Sequence, residues 1–167
     1  MNIKTRKTVI YLTRGSMIAA CYVVLTYMSN LFGLANGPIQ LRISEALCIL
    51  PVFLPEAVPG LFIGCLISNL ITSFNVFDVI FGSLATLIGA LGARYLRALP
   101  TKLLFVATVP TVLANAVIVP PVLIFAYGVT NAYPWLVLTV GIGELLSAGI
   151  GGTVLGYTLK KTKLNNL

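Results

Sequence analysis

Residues 133–159 read YPWLVLTVGIGELLSAGIGGTVLGYTL, an apolar run whose single charged residue is Glu144. At 1.5 Å per residue such a run is long enough for the ~30 Å hydrocarbon core of a bilayer. Its small residues recur every fourth position, with Ala148, Gly152 and Gly156 on one line and Gly143, Ser147 and Gly151 on another. Small residues let helix backbones approach closely where lipid supplies no hydrophobic drive. The stretch therefore predicts a membrane helix packed inside a bundle.

The rest of the chain repeats this pattern. It has 167 residues, 58% apolar and only 9% charged, with mean hydropathy +1.00 and no histidine. A soluble domain is roughly 25% charged, so the polar residues here could not cover a globule. Six apolar segments lie at about 9–32, 43–58, 58–75, 77–96, 102–127 and 133–159. They predict a single all-α integral membrane domain over 1–167 with six transmembrane helices. The second segment is short and contains Pro51 and Pro55, so a five-span reading competes. No GxxxxGK[ST] is present to cradle a nucleotide, and the commonest general base and metal ligand is missing.

Charge decides between five and six spans. Six spans place Lys4, Arg6, Lys7, Arg14, Arg94, Arg97, Lys102, Lys160, Lys161 and Lys163 on one face and leave only Arg42 opposite. The positive-inside rule then puts both termini in the cytoplasm. Tyr27, Tyr127, Tyr133 and Trp135 fall at the outer boundary, and Tyr11, Tyr95 and Tyr157 at the inner one, as interfacial aromatics do. The net charge of +7 is thus a membrane anchor pattern, with no nucleic-acid face. Arg14 interrupts the first apolar run and no A-x-A-like site follows, so the first span is read as uncleaved. Cys21, Cys48 and Cys65 are odd in number and set in apolar runs, as reduced packing residues.

Polar residues inside or bordering the spans are the functional candidates, because a charge at the bilayer centre costs about 2.5–3.5 kcal/mol even on insertion scales. Glu144 lies about 15 Å below the outer end of its span and shares a face with Ala148. It is a ligand contact or a structural carboxylate. Asn115 lies at nearly the same depth in span five, and Asn69 with Ser68 and Thr72 forms a polar face of span three; each is ligand contact or helix-packing glue. Asp78 opens span four as a site residue or an N-cap. The segment Gln40-Leu41-Arg42-Ile43-Ser44-Glu45 enters the second span from outside, with Ser44 or a neighbour as cap and Arg42–Glu45 as a local i,i+3 ion pair or as site residues. Glu56, between Pro55 and Pro59, reads as a solvated turn residue. The loop Phe32 to Pro38 reads as a candidate lid. Together these residues describe an outward-opening funnel for a small, donor-rich solute. No nucleophile–base pair accompanies them, which points to binding without catalysis.

Several motifs in order resemble the QueT family. They are Gln40-x-Arg42-x-Ser44-Glu45-Ala46-Leu47 with Leu50-Pro51, Pro59-Gly60-Leu61-Phe62-Ile63-Gly64-Cys65 with Asn69, Asp78 with Phe81-Gly82-Ser83-Leu84-Ala85-Thr86, Asn115, and Gly143-Glu144. The resemblance runs from about residue 8 to 160. It implies a substrate-binding S component of an energy-coupling factor (ECF) transporter for queuosine precursors. Such a component has six helices and captures substrate beneath its first outer loop. It joins a coupling membrane subunit and two ATPase subunits, which hydrolyse ATP on its behalf, so the chain itself needs no cofactor. The family's small-residue docking motif in the first helix would correspond to Gly15/Ala19 or Ser16/Ala20. The substrate would be a 7-deazaguanine such as the aminomethyl base, queuine or queuosine. Its N1–H and N2–H2 edge suits Glu144 or Glu45, its amine a second acid, and its ring the aromatic faces of Phe32, Phe74 or Trp135. A stand-alone membrane facilitator, or an S component for another vitamin-like heterocycle, are the competing functions.

Overall fold

Tyr22, Thr26 and Ser29, together with Ile18 and Ala19, make the only buried stripe of the first helix, α1 (Ile3–Leu31), which lies at the edge of the bundle. The structure, a computed structural model, describes residues 2–34, 40–73 and 75–162. All regular structure among them is helical. After α1 come α2 (Ile43–Val52), α3 (Ala57–Thr72), α4 (Asp78–Ala98), α5 (Thr101–Tyr127) and α6 (Tyr133–Lys161). Helices α1, α4, α5 and α6 are long and apolar enough to cross a membrane.

The second segment departs from the expected span 43–58. It is a ten-residue 3₁₀ helix that stops at Val52. Pro51 and Pro55 remove amide donors there, and the chain turns before α3 begins. At about 2.0 Å per residue it reaches roughly 20 Å, further than an α-helix of equal length but short of the bilayer core. It is the centre of the fold: Ser44, Glu45, Cys48, Ile49, Leu50 and Pro51 are all buried. One of its last carbonyls is served by Arg94 of α4, whose Nη1 donates to Pro51 O at 3.2 Å. No side chain of its own caps its start, contrary to the role expected of Ser44. Instead Ser29 of α1 reaches across, and Ile43 N donates to Ser29 Oγ at 3.0 Å.

Helices α1 and α3 are in backbone contact. A β-carbon on Gly60 would lie 2.6 Å from Gly15 O, and one on Gly64 would lie 2.9 Å from Ala19 O. The small-residue spacing of α1 is thus matched by a glycine pair in α3. Helix α5 continues through Pro120 and Pro121 to a left-handed Gly128. Pro121 has no N–H for Val117 O, and the hydroxyl of Tyr133, at the start of α6, donates to that carbonyl at 3.3 Å.

Side-chain contacts show which helix ends lie together. Arg14 of α1 meets Glu56 of the α2–α3 turn at 3.3 Å, Arg94 meets Pro51, and Lys160 Nζ donates to Thr101 Oγ1 at 2.8 Å. At the other end Asn75 Nδ2 donates to Ala126 O at 3.2 Å, and Arg42 meets Asp78. The described basic residues other than Arg42 therefore cluster at the Arg14 end. Glu56 is buried beside Arg14, so it is an ion-pair partner rather than the solvated turn residue expected.

Candidate functional site

At the Arg42 end the helices surround a cavity of about 640 Å³, within the roughly 300–1,000 Å³ of small-molecule sites. Its walls come from six places in the chain. Thr26 and Asn30 belong to α1, Gln40 and Arg42 precede α2, and Thr72 and Ser73 close α3. Asp78 opens α4, and Tyr127 and Trp135 face in from the adjoining ends of α5 and α6. Val119, Val140 and Thr139 lie deeper.

Two charges sit on these walls. Arg42 Nη2 lies 3.8 Å from Asp78 Oδ2, and Arg42 Nη1 donates to Asn69 Oδ1 at 3.3 Å. Tyr127 OH donates to the same Asp78 oxygen at 3.2 Å. Asn69 also donates through Nδ2 to Asp78 O at 3.1 Å, so it supports both members of the ion pair from behind. Asp78 is no N-cap: its carboxylate makes tertiary contacts, and Asn75 accepts from Phe77 N at 3.0 Å instead. The local Arg42–Glu45 pair is also replaced. Three residues apart on a 3₁₀ helix would stack them, but Arg42 precedes the first turn in extended backbone and turns towards α4.

Glu45 points the other way. It accepts a short hydrogen bond from Tyr22 OH and a thiol contact from Cys48 at 3.2 Å, and it is buried outside the cavity lining. The hydroxyls of Thr26 and Ser44 are 2.8 Å apart. These bonds fasten α2 to α1 and make Glu45 an anchor for the segment that carries Arg42.

Glu144 and Asn115 lie one helical turn beyond Val140 and Val119. Asn115 lies beside the Glu144 carboxyl, and Arg42 and Glu45 are close enough to act on it electrostatically. Both residues are more than nine-tenths buried, and Glu144 Oε2 and Asn115 Nδ2 make no bond within hydrogen-bond distance among the described residues. Both acids of the site adjoin π-helical turns: Asp78–Gly82 opens α4, and Leu145–Gly151 follows Glu144 within α6. Such turns rotate side chains out of the regular α-helical register and recur at functional sites.

Of the residues expected at the site, Gln40, Arg42 and Asp78 line the cavity, Asn69 stands behind them, Glu144 and Asn115 lie beneath, and Glu45 is turned away. Trp135 lines the cavity, Phe32 is exposed and does not, and Phe74 is outside the described residues. The candidate lid falls largely outside them too; on its flanks Leu41 N donates to Leu34 O at 2.9 Å. Thr26, Tyr127 and Thr139 were not singled out from sequence as site residues. For Thr26 the signal is the four- and three-residue spacing of Tyr22, Thr26 and Ser29, a polar stripe on an otherwise apolar helix.

A second concavity, about 540 Å³, runs along the outer surface of α1 and α3. Gly15, Ser16, Ala19 and Ala20 all line it, with Tyr11, Pro59 and Ile63. Gly15 and Ala19 have their backbones against α3, whereas Ser16 and Ala20 are exposed.

The family model described as QueT transporter matches residues 12–161. The queuosine precursor transporter QueT of Lactococcus lactis subsp. cremoris (strain MG1363) is 42% identical over 73 residues, which cover 44% of this chain and 43% of that relative. The matched stretch thus spans less than half of the relative's length. No solved structure matches the chain.

Proposed function

The chain belongs to the QueT transporter family, and from that premise we propose that it is the substrate-capture subunit of an ECF-type importer for queuosine precursors. It is a multi-pass membrane protein and a transporter, not an enzyme. In this reading six helices cross or enter the bilayer, both termini are cytoplasmic, and the cavity opens outward. The clustering of the described basic residues at the Arg14 end supports that orientation. The observation that carries the reading is the cavity between Arg42, Asp78, Tyr127 and Trp135 at the opposite end. It offers opposed charges for polar substituents and aromatic faces for a planar ring.

The groove of small residues on α1 supports coupling to a partner. Ser16 and Ala20 present little side chain, so a helix of a coupling subunit could approach the backbone closely there. The energy for uptake then comes from two partner ATPase subunits.

Binding to the folded state raises apparent stability by mass action. A thermal-shift series with guanine, 7-cyano- and 7-aminomethyl-7-deazaguanine, queuine and queuosine on the purified chain is expected to single out one or more deazaguanines. Co-purification with a coupling subunit and ATPases, and loss of uptake when the ATPases are inactivated, are expected alongside. Uptake by the purified chain alone in liposomes would overturn the coupled mechanism, and indifference to every deazaguanine would overturn the substrate.

A further inference from the structure

Four acids occur in the chain, and their surroundings divide them sharply. Glu56 is at the Arg14 end, paired with Arg14. Glu45 has Tyr22 on one oxygen and Cys48 on the other. Asp78 is engaged by Arg42 and Tyr127 at the cavity wall. Among the described residues, Glu144 alone has a buried carboxyl oxygen, Oε2, with no partner within hydrogen-bond distance. The buried Asn115 Nδ2 lies close enough to this carboxyl to bear on it, yet makes no bond within hydrogen-bond distance among the described residues. Buried polar groups are nearly always satisfied, and leaving two of them unmade in adjacent side chains is costly. An acceptor and a donor side by side form one complementary half of a hydrogen-bonded pair.

We propose that Glu144 and Asn115 form the specificity subsite of the cavity and read an amino-lactam edge, a ring N–H and exocyclic amine beside a carbonyl. Glu144 accepts from the N–H groups, and Asn115 donates to the carbonyl. Glu45 makes no contact with the ligand; it is a positioning residue that holds α2 against α1. The proposal rests on the reading of the cavity as the substrate site, and it assigns each acid its task within that site.

The path to this subsite is short. Val119 stands one turn from Asn115 on α5 and Val140 one turn from Glu144 on α6, and both line the cavity. A planar ring entering edge-on between these two side chains brings its polar edge to the subsite and leaves its substituent among Arg42, Asp78, Tyr127 and Trp135. The position of Asp78 suits a protonated amine on that substituent, which separates recognition of the ring from recognition of its tail.

The test compares binding of 7-deazaguanine and 7-deazahypoxanthine, which lacks the exocyclic amine, to the full-length purified chain. The unaltered protein is expected to prefer 7-deazaguanine by about tenfold or more, since a site built around a donor rejects the analogue lacking it. Glu144→Gln puts an amide where the acceptor stood, and the preference should fall to within about threefold. Asn115→Ala, the second variant, should weaken both bases together, because both carry the carbonyl. Glu45→Gln should keep the preference even where it lowers thermal stability. A preference retained in Glu144→Gln, as a carboxyl served only by water would give, overturns the proposal and leaves the cavity reading intact. So does a preference lost in Glu45→Gln instead. Failure of the unaltered protein to bind either base overturns both.

Discussion

Gly143 of α6 lies directly against Gln40: a β-carbon on Gly143 would overlap the Gln40 carbonyl oxygen. The residue before Glu144 thereby lets the segment leading to Arg42 cross α6 at backbone contact. One close approach sets both the cavity wall and its base. Gly143→Ala should push that segment outward, lowering substrate affinity by about tenfold or more, equivalent to about 1.4 kcal/mol. The overpacking itself should cost about 1–3 kcal/mol of stability. Calorimetric titration with a bound deazaguanine, alongside thermal unfolding in detergent, measures both. Unchanged affinity would mean that the Gln40–Arg42 segment does not shape the site.

The Arg42–Asp78 pair is mostly buried, with side-chain exposures of 19% and 7%. Removing one partner of such a pair strands the other charge, a loss of about 3–5 kcal/mol in buried cases. Asp78→Asn and Arg42→Gln should each lower stability, and the double variant should lose less than their sum. Chemical or thermal unfolding of the three proteins gives the coupling. Strict additivity would show that the pair is not an energetic unit.

The outlines of this fold are legible in the sequence because membrane helices are written as long apolar runs, and Glu144 and Asn115 stand out by contrast within them. The end of α2 is not legible in that way. A buried 3₁₀ helix and a short membrane span share the same composition, and only the extended backbone at Arg42 and the prolines at 51 and 55 separate them. Pairings are harder still. Arg42 and Glu45 are close in the chain, so a local pair is the natural expectation, yet burial brings Asp78 and Asn69 to the arginine and Tyr22 to the glutamate. The same holds for Glu56, whose flanking prolines suggest an exposed turn while Arg14, distant in the chain, covers it. Partners across a bundle depend on which helix faces meet, and a single chain does not state that.

Tyr133 replaces a backbone donor that Pro121 cannot provide. If the hydroxyl is there to satisfy Val117 O, Tyr133→Phe should cost about 1 kcal/mol, the typical worth of one hydrogen bond. In a Pro121→Ala background the helix can supply its own N–H to that carbonyl, and the same Tyr133→Phe change should then cost close to nothing. A double-mutant cycle on thermal stability checks this. An equal cost in both backgrounds would place the tyrosine's contribution in packing alone.

The backbone contact of α1 with α3 separates the two surfaces of the protein energetically. A β-carbon on Gly64 would lie 2.9 Å from Ala19 O and 2.9 Å from Tyr22 Cβ, both parts of α1 that cannot rotate away. Gly64→Ala must therefore move the helices apart, which should widen the outer groove and cost about 1–3 kcal/mol. Gly15, Ser16, Ala19 and Ala20 would no longer present the same surface. Tyr22, Thr26 and Ser29, which fasten α2 and the segment carrying Arg42 to α1, would shift too, so substrate affinity should also fall; the direct contacts of Arg42 with Asp78 and Asn69 limit that loss. Association with the coupling subunit should thus fall more steeply than substrate affinity. Ser16→Phe, which fills the groove from its exposed side and leaves the backbone contact of Ala19 with Gly64 in place, should block association and leave binding within about twofold. Co-purification scored against titration in the same two variants distinguishes the surfaces. Equal loss of both properties in Ser16→Phe would show that the groove and the cavity are not independent.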